Sequence, residues 1–185
     1  MEAYLKHTLY ILSAFLISAC SVDLGGDLEA QVYEGPMMEL EDVVFYYSDS
    51  AQVKVKGTTP HRMEYADGNQ EFPKGLYLEF YYDLGKIEST IKANKAYFNK
   101  EKNEWLGQED VVVINTESGQ QLNTEELYWL PSDEKIYTEK FVTITREDEI
   151  LHGRGLEAAQ DFSSYSITNP EGEFLLKENS DLWLV

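Results

Sequence analysis

Residues 137–174 read YTEKFVTITREDEILHGRGLEAAQDFSSYSITNPEGEF, and this stretch decides the fold class. Lys140–Thr145 and Glu149–His152 are two strand-like runs, rich in β-branched residues, with Glu147-Asp148 as the turn between them. Gly153 and Gly155 flank Arg154 and break the second run. Glycines in such a position allow a bulge or bend in a strand. A polar segment to Ser164 follows, then the short run Tyr165–Thr168 and an expected turn at Asn169-Pro-Glu-Gly172. The whole reads as the last rungs of a long β-structure.

The same signals recur upstream. Candidate strands are Val43–Tyr47, Gln52–Lys56, Leu76–Tyr82, Ser89–Phe98, Val111–Asn115, Glu125–Trp129 and Lys135–Thr138. Turn residues separate them at Asp49-Ser50, Asp67-Gly-Asn69, Asp83-Leu-Gly85, Asn99 to Asn103, Ser118-Gly119 and Pro131-Ser-Asp133. No segment after Cys20 keeps an apolar i, i+3, i+4 stripe over three turns, so helix is expected to be scarce. Alternation predicts inward side chains at Val53 and Val55, at Leu76, Leu78 and Phe80, and at Val142 and Ile144. Val111–Ile114 is apolar on both faces, which suits a central or covered strand.

The first 20 residues have the pattern of an export signal. Lys6 and His7 precede the apolar run Leu9–Ala19, too short to span a bilayer as a helix but fitting a secretory h-region. The ending Ile17-Ser-Ala-Cys20 resembles a bacterial lipobox, in which the thiol of Cys20 is acylated and becomes the new N-terminus. Cys20 is the sole cysteine, so its acylation leaves none for a disulfide. The expected organisation is a signal peptide over 1–19, a lipidated tether over 20–38 rich in Gly and acidic residues, and one β domain over 39–185.

The 34 acidic and 15 basic residues give a net charge of -19, which argues against a nucleic-acid partner, since phosphate binding needs clustered Lys and Arg. Catalytic signatures are lacking: there is no His-Glu-x-x-His helix, Gly-x-Ser-x-Gly elbow or Gly-Lys-Thr phosphate loop. Gly153-Arg-Gly155 lacks the third glycine and the helix of a dinucleotide site. His61 and His152 are too isolated to argue a metal centre. Neither enzyme activity nor a cofactor or metal is expected.

Together with Gln121–Trp129 and Lys135–Thr138, the wording of 137–174 resembles the LptC family, the periplasmic membrane-anchored subunit of the lipopolysaccharide export ABC transporter. The resemblance is clearest from about Ile91 to Gly172. It implies an all-β fold, a single twisted β-jellyroll of the LptC/LptA (OstA-like) type behind the lipoprotein signal. It further implies a conduit that takes lipopolysaccharide from the inner-membrane transporter subunits and hands it to an LptA-like periplasmic bridge protein. Acyl chains need an apolar trough, and the inward candidates are Ile91, Ile114, Leu127, Trp129, Ile136, Val142 and Ile144. In the family the C-terminal edge docks the bridge, which here points to Ile150, Gly153, Tyr165 and Ile167. A lipid anchor at Cys20 implies the periplasmic face of the inner membrane, although Ser21 after the cysteine favours the outer membrane under the enterobacterial sorting rule. The competing reading is a β-sandwich envelope lipoprotein with a structural or adhesion role. A dry, filled core would favour that reading, and an open apolar trough would favour transport.

Overall fold

Alternation of apolar and polar residues builds strands along most of the chain, and each strand pairs with its neighbour in sequence. The computed structural model describes residues 33–82, 85–147 and 149–171. The sheet lies in the unit that begins at Gly35. Among the described residues the strands are β1 (Met38–Asp49), β2 (Gln52–Glu64), β3 (Gln70–Phe72), β4 (Leu76–Tyr82), β5 (Lys86–Ala93), β6 (Lys95–Asn99), β7 (Glu104–Asn115), β8 (Gln121–Leu130), β9 (Lys135–Arg146), β10 (Glu149–Ala159) and β11 (Tyr165–Glu171). All form one antiparallel sheet, and the helical content described is the 3-10 turn at Pro131–Asp133 with a 3-10 residue at Gly85.

The order of pairing shows a meander. β2 lies against β4 through Val55–Thr58 and against β3 through Met63–Glu64. β7 lies against β5 through Val112–Asn115 and against β6 through Glu104–Gln108. β3 thus runs on into β4, and β5 into β6, so the eleven strands act as nine legs in sequence order. Among the described residues β1 and β11 are the edge strands, each paired on one side only.

A crease crosses the legs. The register of β7 against β8 slips between Gln108 and Val111, that of β8 against β9 between Thr124 and Tyr128, and that of β9 against β10 at Arg154/Leu156. Positive φ values at Asp42, Glu109, Asp110, Gly75 and Gly155 fall on the same line. Such bulges bend a strand and increase its twist. They also reset phase: the buried residues of β8 are Leu122 and Thr124 before the crease, then Leu127 and Trp129 after it. Apolar side chains therefore point inward on both sides. Threonines repair the backbone there. The Thr59 hydroxyl donates to the Gly75 carbonyl at 2.7 Å, the Thr124 hydroxyl donates to the Phe141 carbonyl at 2.9 Å, and the Thr138 hydroxyl accepts from the Lys140 amide at 3.1 Å.

Folding about the crease brings the two halves of the sheet face to face. Phe80 of the first half meets Trp129 of the second edge-on at 5.0 Å, and Phe45 stacks over Trp105 at 6.1 Å. The core between them is Val55, Leu78, Phe80, Val111, Val113, Leu122, Ile136, Val142, Ile144 and Leu156 with their neighbours. This all-β antiparallel arrangement is consistent with the expected β-jellyroll.

Several expectations need correction. Lys135–Thr138 and Phe141–Thr145 are one strand, interrupted by the bulge at Glu139-Lys140. Gly153 does not end its strand: β10 continues to Ala159, and the bulge sits at Gly155, where φ is +78°. Asn169 to Glu171 is not a turn but pairs with Arg154, Gly153 and His152. Ser89–Phe98 is two strands, parted at Asn94, and β3 had no prediction. Val53 is 45% exposed, because it lies past the β1 bulge at the end of the hairpin. The export signal, Cys20, most of the tether and the tail 175–185 lie outside the described residues, as do parts of the turns at 83–85 and 147–148.

Candidate functional site

The inner face of the folded sheet is the candidate site. Leu76, Leu78, Ile91 and Ala93 from the first half face Ala96, Trp105, Leu127 and Trp129 from the second across an apolar slot. Its free volume is about 20 Å³, room for one water, so side chains fill the space between the halves. Trp105 and Trp129 of the slot continue into a contiguous aromatic cluster with Phe45, Phe72 and Phe98.

Six of the seven predicted inward residues are buried on this face: Ile91, Leu127, Trp129, Ile136, Val142 and Ile144. Ile114 is not. The pleat turns Val111 and Val113 inward, so Val112 and Ile114 alternate to the outer face, where both are half-buried. Ile91, Leu127 and Trp129 meet at the slot, while Ile136, Val142 and Ile144 lie further along the sheet toward β10.

The slot leads to an opening. Along the seam opposite the crease, where the hairpin ends of the two halves approach each other, a pocket of about 410 Å³ is walled by Val55, Phe80, Trp129, Glu88, Glu134 and Asp161, with Tyr47 and Lys54 among its other residues. Val55, Phe80 and Trp129 are core residues, so the pocket reaches the apolar interior. Its acidic side is coupled. Burial, together with the charge of Asp161 and a hydrogen bond to it, holds the Glu88 carboxyl above its usual value.

Beyond the pocket the seam is shut by the turn that joins β10 to β11. The Gln160 carbonyl accepts from Ser89 Oγ at 3.1 Å, the Asp161 carbonyl from Asn115 Nδ2 at 2.8 Å, and the Phe162 carbonyl from Gln120 Nε2 at 3.0 Å. Gln160 Oε1 also accepts from Trp129 Nε1 at 3.0 Å. The Phe162 ring is fully buried and lies 5.4 Å from the ring of Tyr165. Arg146 adds a clamp, donating from Nε to Gln120 Oε1 at 2.9 Å and from its terminal nitrogen to the Tyr165 hydroxyl.

The predicted docking residues separate into two groups. Ile150 is 61% exposed on the outer face of β10, whereas Tyr165 and Ile167 are half-buried on the edge strand β11. Gly153 is enclosed: a Cβ there would run into Ile167 and come within 2.8 Å of the Asn169 carbonyl. It serves the β10–β11 contact and is not itself a surface for a partner. Sequence patterning does not single out Ser89, Asn115, Gln120 or Phe162. One signal exists for Phe162, an aromatic stranded within the polar run Gln160–Ser164.

A family model described as "Lipopolysaccharide-assembly, LptC-related" matches residues 46–164. The match starts well before Ile91 and stops at the seam-closing turn, short of Gly172. Comparison with the curated proteins gave no match. An antiparallel sheet folded on an apolar face, together with a family match over more than half the chain, establishes that the chain belongs to the LptC-related family of lipopolysaccharide assembly.

Proposed function

We propose that this chain is a lipid conduit of the cell envelope: it receives the acyl chains of lipopolysaccharide from the inner-membrane ABC transporter subunits and passes them to an LptA-like periplasmic bridge protein. The observation that carries the reading is the apolar inner face, which reaches the surface through a pocket floored by Val55, Phe80 and Trp129. Affinity resides in the tails. With a net charge of -19 the protein repels lipid A phosphates, so the sugar stays outside. Burial of six methylenes contributes about 5 kcal/mol, enough to hold a tail without fixing it irreversibly.

Acylation of Cys20 fixes the protein to the periplasmic face of the inner membrane. Ser21 makes the outer membrane the alternative address, and membrane fractionation of a Ser21→Asp variant beside wild type separates the two. Docking of the bridge uses the backbone of β11, an edge strand among the described residues, with Tyr165 and Ile167 beside it and Ile150 on the adjacent outer face.

Photo-crosslinking in cells at Val142 or Ile144 tests the conduit. Attachment of lipopolysaccharide is expected; its failure at several inner positions of a folded protein discards the reading. One observation favours the rival, a structural or adhesion lipoprotein without cargo: the space between the halves is filled. The same crosslinks decide between them.

A further inference from the structure

A filled interior and a lipid conduit are compatible only if some part of the wall moves. Three features of the turn 160–164 single it out. It spans the seam, since its carbonyls bond residues 71, 46 and 42 positions away in sequence, all near hairpin ends of the opposite half. It is strained, because Phe162 is a bulky residue held at φ +56°, a left-handed conformation that L-residues with large side chains disfavour. Finally, its side chains seal the interior: Phe162 is a fully buried plug, and Gln160 ties the turn to Trp129, which lines both slot and pocket.

Side chains carry the attachment. Ser89, Asn115 and Gln120 are buried polar residues on the first half, and each donates to the strap backbone. The strap's own backbone bonds are short-range, Ala159 N–H to Ser164 and Phe162 N–H to Ala159, with Gln160 N–H to Glu134 as its link to the neighbouring turn. Breaking these three bonds, the Glu88–Asp161 and Gln160–Trp129 side-chain bonds, and withdrawing one ring therefore frees the strap while the ladders of β7 to β10 stay paired. Bonds of this kind are individually weak in net terms, so local release lies well below the cost of unfolding.

We propose that Gln160–Ser164 is a strap that latches the seam of the folded sheet, and that release of Phe162 opens a sideways passage by which acyl chains reach the inner face. This rests on the conduit reading above. Sideways admission lets tails enter while the saccharide remains in water, and threading from an end would not require the strap to move.

The test has two arms on the purified mature lipoprotein in detergent. Hydrogen exchange, without lipid, follows the amides of Gln160, Phe162 and Ser164 against those of β8 and β9. The strap amides are expected to exchange about tenfold or more faster than the core ladders. Exchange only together with global unfolding overturns the strap as a moving part. The second arm mixes wild type and a Ser89→Ala/Gln120→Ala variant with lipopolysaccharide carrying a fluorophore on its core sugar. Similar capture at equilibrium with loading about tenfold faster in the variant supports the strap. Capture by both at one rate overturns it. Capture by neither overturns the conduit reading itself, and the exchange arm still decides whether the strap opens. A Phe162→Ala variant, which keeps the backbone bonds and loses the plug, is expected to load at least as fast as the double variant.

Discussion

At Thr124 a hydroxyl takes over from the sheet where the sheet has to bend, by donating to the Phe141 carbonyl at the crease. Thr124→Val keeps the shape and strands that carbonyl, so a loss of about 1–3 kcal/mol is expected in urea denaturation, with Thr124→Ser retaining most of it. Gly155 serves the same crease by conformation, with φ +78° and Thr168 about 3 Å from where a Cβ would be. Gly155→Val should cost about 1–2 kcal/mol from backbone strain alone, read as a lower denaturation midpoint. Glu88 faces Asp161, with Glu117 and Glu134 adding negative charge, and its pKa lies above the ordinary value of 4.5. A raised carboxyl pKa means that the folded state prefers the protonated form. The associated stability is full below the unfolded pKa and is lost as pH rises through the folded one. Glu88→Gln should therefore match wild type at about pH 4 and be the more stable at about pH 7, by thermal melting. A constant difference across that range would show that the carboxyl is not the cause.

Among elements, β11 depends on the absence of a side chain at Gly153. Gly153→Val is expected to peel β11 from β10, seen as faster hydrogen exchange over 165–171 with β7 to β9 still protected. A partner that adds a strand at this edge loses its template in the same variant, so edge order and docking should fail together. The alternation of apolar residues made most strands legible. Leu76–Tyr82 agrees residue for residue, and Val142 and Ile144 are inward as expected. The length of the legs was not legible, for a physical reason. Glu109-Asp110, Glu125 and Glu139-Lys140 lie at bulges that turn them to solvent, while Glu126 is half-buried and accepts from Gln108, and in a sequence such polar pairs look like the turns that end strands. Ile114 was misplaced because β7 carries apolar residues on both faces from Val111 to Ile114, so apolarity alone does not tell its sides apart. The strap was hidden more deeply, since its partners are set by contacts dozens of residues away.

For the whole molecule, charge is the main force that local pairing leaves unbalanced. With 34 acidic against 15 basic residues, most carboxylates repel one another across the surface. Salt shortens the screening length from about 30 Å at 0.01 M to about 10 Å at 0.1 M. The melting temperature of the purified protein is therefore expected to rise between low salt and about 0.5 M sodium chloride, and a flat or falling response would contradict a repulsion-limited fold.

The meander has a bearing on how the molecule comes into being. Because each leg pairs with the one made just before it, hairpin after hairpin can form as the chain emerges from its N-terminal end, with modest loop-closure cost at each step. The strap is the exception, since Ser89, Asn115 and Gln120 must wait for a segment synthesised long after them. Closing the seam then comes late in maturation, and a chain halted before residue 160 would have β1 to β10 laddered but would lack β11 and never have been shut.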